Sequence, residues 1–176
     1  MKRIIVVLVA VLAAAALGIF EPWRAFTSST LVEAVPATSS PPPTSPTPPS
    51  ASAPATPTTA AASVRTLTSG TFVDAEHATD GSARIIELAD GRRFLRLEGL
   101  RTSDGPDLHV WLSDARSGGR WGSYDDGSFV RLGKLKATRG SQNYLIPAGA
   151  DLTTMKSAVI WCDRFNVAFG TAPLAA

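Results

Sequence analysis

Cysteine, histidine and methionine are scarce in this chain, and their scarcity excludes several kinds of site. The 176 residues include one cysteine, two histidines and two methionines. A single cysteine has no internal disulfide partner, so Cys162 is a free thiol, an intermolecular bridge, a ligand or a small buried apolar residue. The sequence has no C-x-x-C-H, H-E-x-x-H or paired-cysteine pattern. The common haem-attachment and zinc motifs are therefore excluded.

Motifs for hydrolysis and for phosphate binding are also missing. There is no Gly-x-Ser-x-Gly and no glycine-rich phosphate loop, and the acidic residues are scattered through turn-like stretches. Asp104, Asp107, Asp125, Asp126 and Asp151 lack EF-hand spacing, so they indicate at most a weak calcium site. Because no general acid–base constellation is visible, enzymatic turnover is not expected.

Charge is unevenly distributed along the chain. Glu33 is the only charged residue between Ala25 and Ser63, whereas fourteen basic and thirteen acidic residues lie between Val64 and Ala176. The second stretch has a net charge of fourteen minus thirteen, or +1, and contains no block of like charges. A nucleic-acid partner is therefore not expected.

The N-terminal residues predict a membrane anchor. Lys2 and Arg3 precede Ile4–Phe20, which are seventeen residues without a charged side chain. In a helix this run spans about 25 Å, enough to cross a thin hydrocarbon core. Residues 1–26 are thus predicted to be a transmembrane signal anchor, or alternatively a cleaved signal peptide. The leading positive charges place the N-terminus in the cytoplasm and the rest outside a single-pass cell membrane protein. Cleavage would instead give a secreted protein.

Residues 27–66 predict a disordered stalk rich in Pro, Ser and Thr. Nine of the twenty-two residues in Pro36–Pro57 are proline, and nearly all the others are Ser, Thr or Ala. Such a sequence cannot bury a core and favours polyproline II, which would give about 70 Å of reach. The stalk is interpreted as a spacer between membrane and domain, and it could carry O-glycans.

Residues 67–176 predict one small all-β domain, a β-sandwich or a related barrel. Short apolar runs are separated by Gly, Asp, Ser and Pro, and no helical stripe of useful length is present. Leu108, Val110 and Leu112 alternate with His109 and Trp111, which is the period of a strand. The predicted strands are Ala83–Leu88, Arg93–Leu97, Asp107–Ser113, Gln142–Ile146, Ala158–Cys162 and Phe165–Phe169. Asp90-Gly91 predicts a tight hairpin.

Cys162 is the first candidate for chemistry because it lies at a predicted strand end, where a thiol could reach a metal or a partner. His77, His109 and Met155 are possible accessory ligands, since Cys, His and Met are the set that binds copper or haem iron. Their spacing matches no standard metal site, so the sequence does not identify a metal. His109 is expected to face solvent, or to lie with Trp111 on a second buried face.

The stretch from Gly70 to Leu174 resembles the electron-transfer DM-thirteen (DM13) domain family, often found beside DOMON domains in exported proteins. The motifs that carry the resemblance are Gly105-Pro106-Asp107-Leu108, Leu132-Gly133-Lys134-Leu135, Tyr144-x-Ile146-Pro147 and Ile160-Trp161-Cys162-x-x-Phe165-x-Val167-x-Phe169-Gly170. The resemblance implies an all-β fold and a redox role for Cys162, as a bare thiol or as the ligand of a prosthetic group such as haem or copper. No DOMON partner is present in this chain.

The resemblance implies a membrane-tethered extracytoplasmic electron-transfer module. An unidentified redox protein or small molecule would supply or accept the electron. Trp111, Trp161 and Phe165 are expected to give Cys162 a polarizable, low-dielectric setting. The alternative is a non-catalytic cell-surface binding or adhesion domain, in which Cys162 is buried and structural. A metal-handling protein is the third possibility. Exposure of the sulfur discriminates among them, because the redox function predicts a reachable thiol.

Overall fold

The computed structural model describes residues 28–37 and 64–174, and these residues form ten β-strands and no helix. The all-β prediction is confirmed for this part of the chain. The predicted N-terminal helix and most of the predicted stalk lie outside the described residues. The strands are β1 Thr30–Val32, β2 Arg65–Thr71, β3 Val73–Asp74, β4 Asp80–Glu87, β5 Arg93–Arg101, β6 Leu108–Ser113, β7 Phe129–Lys134, β8 Arg139–Ile146, β9 Ser157–Cys162 and β10 Val167–Pro173.

The strands form two five-stranded sheets that enclose a common core. Sheet one has the order β1-β8-β5-β4-β2, and sheet two has the order β3-β10-β9-β6-β7. All neighbours are antiparallel except β1 and β8, which are parallel. One buried cluster takes side chains from both sheets, including Ile85, Leu97, Val110 and Ile160. The architecture is that of a two-layer β-sandwich.

Local sequence explains much of this arrangement. In the β4–β5 hairpin, Leu88 N donates to Arg92 O at 2.9 Å, and Gly91 adopts a φ of 82°. That left-handed conformation suits glycine, so the predicted Asp-Gly turn is confirmed. In β6, Leu108, Val110 and Leu112 face the core between the sheets, while Trp111 belongs to a separate cluster on the other face. This second cluster is what positions the candidate site.

The strand pattern differs from expectation: β1, β2, β3 and β7 were not predicted, and the last strand begins later than expected. Thr30–Val32, inside the predicted stalk, forms β1 and pairs with β8. The last strand begins at Val167 rather than Phe165, because Asp163–Asn166 form a turn in which Asn166 has a φ of 54°. Asn tolerates this conformation better than most residues, so the turn ends in a residue suited to it. Phe165 is consequently on the turn and is 51% exposed.

Candidate functional site

Cys162 is the last residue of β9, as expected from the sequence, and its side chain lies in the core between the sheets. All six residues of β9 are buried, and the exposure of Cys162 is 0%. Its register partners are Leu108 of β6 and Val167 of β10. Ile160 lies two residues earlier on the same face, and belongs to the same apolar cluster. The sulfur is therefore closed off from solvent, and the reachable thiol that the redox function predicts from the sequence is not found.

Two of the three predicted accessory ligands, Met155 and His109, lie away from this sulfur. Met155 precedes the start of β9 and Cys162 ends it, and a six-residue strand spans about 17 Å. His109 follows Leu108 in β6, so its side chain lies on the opposite face of sheet two from Cys162. His77 packs on Phe169, with ring centroids 3.9 Å apart.

A prosthetic group does not fit these residues. A haem or copper ion held by Cys162 would need space and further ligands beside the sulfur, but its strand neighbours on that face are apolar. Within residues 28–37 and 64–174, the one cluster of His, Cys, Asp and Glu with metal-like spacing is Asp107, His109 and Asp163. Cys162 is not part of it. No step through such a group is derived for this chain.

The outer face of sheet two carries a stack of aromatic rings. The ring centroid of Trp111 lies 4.6 Å from that of Phe129, at an interplanar angle of 11°. It lies 4.7 Å from that of Trp161, at an interplanar angle of 25°. Arg131 covers the stack, with its guanidinium carbon 4.7 Å from the Trp111 ring centroid. Both tryptophans are 1% exposed. The Trp111 indole nitrogen has no partner among the described residues, so ring contacts and burial hold this side chain.

This stack changes the expected surroundings of Cys162. Trp161 precedes Cys162 in β9, and its side chain points to the outer face while the sulfur points to the core. Trp111 lies with Trp161, and Phe165 is exposed on the turn. The aromatic side chains expected around the sulfur are therefore separated from it by the backbone of sheet two or lie at the surface.

A charged network borders the stack at the same end of sheet two. His109 Nε2 lies 3.0 Å from Asp107 Oδ1 and 3.4 Å from Asp163 Oδ2. Lys134 Nζ lies 3.2 Å from Asp107 Oδ1, and Arg131 Nη1 lies 3.0 Å from Asp163 Oδ2. The hydrogen bond from His109, with help from Lys134, holds the pKa of Asp107 below its ordinary value. The network forms a chain in which each carboxylate already faces a cation.

That pairing decides what the network can do. Oxygen and imidazole ligands within 4.8 Å of one another are suitable for a divalent ion. However, the carboxylates of Asp107 and Asp163 are already bound to Lys134 and Arg131. A metal would have to displace both cations, so the arrangement is best described as an ion-pair network that holds His109 and the adjacent turn.

A comparison with known protein families shows which family this chain belongs to. The family model described as Electron transfer DM13 matches residues 71–174. The chain belongs to the DM13 family. No curated protein and no solved structure matches it. Membership in DM13 assigns the domain to electron transfer in general terms, and the matched span contains both Cys162 and the aromatic stack.

The sequence pattern does not bring Asp107, His109 and Asp163 together, although it makes Asp107 one of the residues of a weak calcium site. The spacing Asp107-x-His109 would place both residues on one face, but Asp107 lies just before the start of β6. Asp163 joins them through the β6–β9 pairing, in which Asp163 N donates to Asp107 O at 3.0 Å. Only knowledge of that pairing could have identified the network in this DM13 domain. Arg131 and Phe129 were missed because β7 was not predicted.

Proposed function

We propose that this DM13 domain is a membrane-tethered extracytoplasmic electron-transfer module in which Cys162 acts as a bare thiol. Family membership supports electron transfer in general terms. The role of Cys162, the tether and the location are proposals that rest on the sequence and on the geometry around the sulfur.

The observation that carries the proposal is the position of Cys162 directly after Trp161 in a completely buried strand. Trp161 stacks on Trp111, and Arg131 covers that ring from the solvent side. A short path of aromatic rings therefore runs from the surface of sheet two to the residue that precedes the thiol. Electrons can cross such a layer without atomic contact between the sulfur and a partner.

Burial also selects among the kinds of redox chemistry open to a cysteine. Thiol–disulfide exchange requires that a thiolate be attacked or attack directly, so it requires an accessible sulfur. With Cys162 at 0% exposure, such exchange is closed to the native fold. One-electron exchange with a separate redox protein would interconvert the Cys162 thiol and a thiyl radical. The electron would pass to the redox protein without direct contact with the sulfur, and the S–H proton would leave to solvent when the strand end opens transiently at the adjoining turn of residues 163–166. Because the residues beside the sulfur are apolar and supply no further metal ligands, we propose a bare thiol rather than a ligand to haem or copper.

The proposed location rests on the N-terminal residues. Lys2 and Arg3 before the apolar run of Ile4–Phe20 favour a cytoplasmic N-terminus and an exported domain. That run lies outside the described residues. Residues 28–37 and 64–174 include no helix of the length and apolar character needed to cross a membrane. The proposed partner is a redox protein in or near the same membrane; a nucleic acid is not proposed, because the domain has no block of positive charge.

The experiment is voltammetry of the full chain in detergent, with the visible spectrum and metal content recorded on the same sample. We expect a protein-derived redox signal that disappears in Cys162→Ala. Val110→Ala is the matched control, since Val110 is also 0% exposed on the core face of the adjacent strand. It should keep the signal. A signal that persists in Cys162→Ala, or a chromophore lost with the sulfur, would contradict the bare-thiol function.

A second candidate is a cell-surface binding domain in which Cys162 is structural. The complete burial of the sulfur among apolar residues favours it, because cysteine often behaves as a small core residue. The same voltammetry separates the two functions. A silent wild-type protein whose stability falls only modestly in Cys162→Ala would favour the binding domain.

A further inference from the structure

A short segment before the proline-rich stretch is bound at the edge of sheet one. Thr30–Val32 pair in parallel with Arg139–Ser141 of β8. The ladder is extended at both ends, where Arg139 N donates to Ser29 O at 2.9 Å and Glu33 N donates to Ser141 O at 2.8 Å. This is strand addition to an open sheet edge, performed by the chain on itself.

Side chains fix the register at the beginning of this segment. Ser29 N donates to Thr138 Oγ1 at 3.0 Å, and Thr138 N donates to Ser29 Oγ at 3.2 Å. Thr138 is 3% exposed. Two residues 109 positions apart in sequence thus exchange reciprocal hydrogen bonds.

Glu33 fixes the other end of the segment. Its carboxylate accepts from Lys136 Nζ at 2.8 Å and from Asn143 N at 2.6 Å. Asn143 Nδ2 donates to Ala34 O at 2.8 Å, and Arg96 donates to Glu33 O at 3.1 Å. Burial alone would raise the pKa of Glu33, but these hydrogen bonds and the charge of Lys136 hold it below its ordinary value. The only acidic residue in this part of the chain is therefore used as an anchor.

The sheet edge also has a backbone suited to close approach. Gly140 has a φ of 103°, and a Cβ atom built there would overlap the carbonyl oxygen of Leu31. A larger residue at position 140 would be strained in its own conformation and would displace the bound segment. The docking position thus depends on the backbone ladder, Gly140 and Asn143 of β8, and on Thr138 and Lys136 directly before it.

Topology then determines what the proline-rich stretch connects. β1 and β2 are the two edge strands of sheet one, four strand spacings or about 19 Å apart. Residues 35–64 join them, and thirty residues can extend to about 100 Å. The chain therefore leaves the domain after Ala34 and returns to the same sheet at Arg65 with ample length.

We propose that the β8 edge is a docking site for Ser29–Ala34, and that this docking makes the proline-rich stretch a loop closed at both ends rather than a spacer. Only residues 21–28 then separate the domain from the N-terminal apolar run, a reach of at most about 28 Å. If the segment were released, residues 21–64 would separate the domain from that run, and their maximum extended length is about 150 Å. Docking holds the domain close to the N-terminal run, which, if the proposed electron-transfer function is correct, keeps it near a membrane-bound partner.

The test is cleavage within the loop of the full chain. A protease site replaces residues 48–53, the chain carries an N-terminal affinity tag, and the cut protein is passed over tag-binding resin in detergent. We expect the C-terminal fragment to stay with the tagged fragment. Its release from the cut protein that carries no further substitution would overturn the proposal, whatever the redox assays show. A complex with the mass of two copies would indicate strand exchange between molecules, which also overturns the closed loop.

Two variants test the named contacts. Glu33→Ala should speed release of the cut fragment at least roughly tenfold, since hydrogen bonds to a charged group are lost. Glu76→Ala, an exposed acidic residue away from β8, is its control. Gly140→Val should abolish retention, and Gly149→Val should not, because no atom lies within 4 Å of a Cβ built at Gly149. Equal retention by Glu33→Ala and Glu76→Ala would contradict the role of Glu33.

Discussion

The reactivity of the Cys162 thiol is the property that the structure constrains most tightly. The sulfur is 0% exposed in a strand whose six residues are all buried, so a reagent can reach it only after the strand end opens. If exposure requires global unfolding, the opening costs at least about 5 kcal/mol, the lower end of ordinary domain stability. Each 1.4 kcal/mol is tenfold, so labelling should be slower than in the unfolded chain by at least roughly 4,000-fold.

The assay is the rate of labelling by a small chromogenic disulfide in native buffer and in denaturant. The control is an exposed thiol made by Ala148→Cys in a Cys162→Ala background, which should react at the unfolded rate because Ala148 is exposed. Labelling of native Cys162 within about tenfold of that control would refute the reasoning that places the sulfur in a closed core. It would also restore thiol exchange as a possible chemistry.

Three further predictions concern other parts of the domain. Burial raises the pKa of Tyr144, so its contribution to stability is present below the ordinary tyrosine pKa, about pH 10, and is lost as pH rises above it. Urea unfolding at pH 8 and pH 11 should show that loss in the wild type, and a smaller one in Tyr144→Phe. His109→Ala should raise the pKa of Asp107 toward its ordinary value, as measured by NMR titration; an unchanged pKa would contradict the network. Arg131→Ala should cost about 1 kcal/mol in chemical denaturation, since it removes a contact with the Trp111 ring and an exposed ion pair.

Much of the fold could be predicted because period-two patterns and turn residues act locally. All six predicted strands overlap strands of the structure, and the Asp90-Gly91 hairpin is confirmed. β7 was missed because Phe129–Lys134 is an edge strand without a fully buried face, so its apolar pattern is weak. The start of β10 was misplaced because the pattern of Phe165 and Val167 continues across a turn.

The candidate site was less accessible from sequence, because it depends on which strands are neighbours. Alternation correctly separated His109 and Trp111 from the core-facing residues of β6. It could not show that Trp161 lies beside Trp111, since that contact depends on the pairing of β6 with β9. Nor could any local pattern reveal β1, because its three residues pair with β8 and its flanking residues Ser29 and Glu33 bond to Thr138 and Asn143, all more than a hundred positions away. Long-range pairing is the information that a single sequence does not display.

The two proposals concern different sheets and can therefore succeed or fail independently. Cys162 and the aromatic stack belong to sheet two, whereas the docked segment lies against β8 at the edge of sheet one. The residues matched by the DM13 family include the β8 docking edge but not Ser29–Ala34. Electron transfer within the domain thus needs nothing from the segment, but the distance over which the domain can find a partner depends on it. A variant such as Glu33→Ala should consequently leave the voltammetric signal of Cys162 unchanged while altering transfer to a membrane-bound partner. A change in the signal itself would show that the two sheets are energetically coupled.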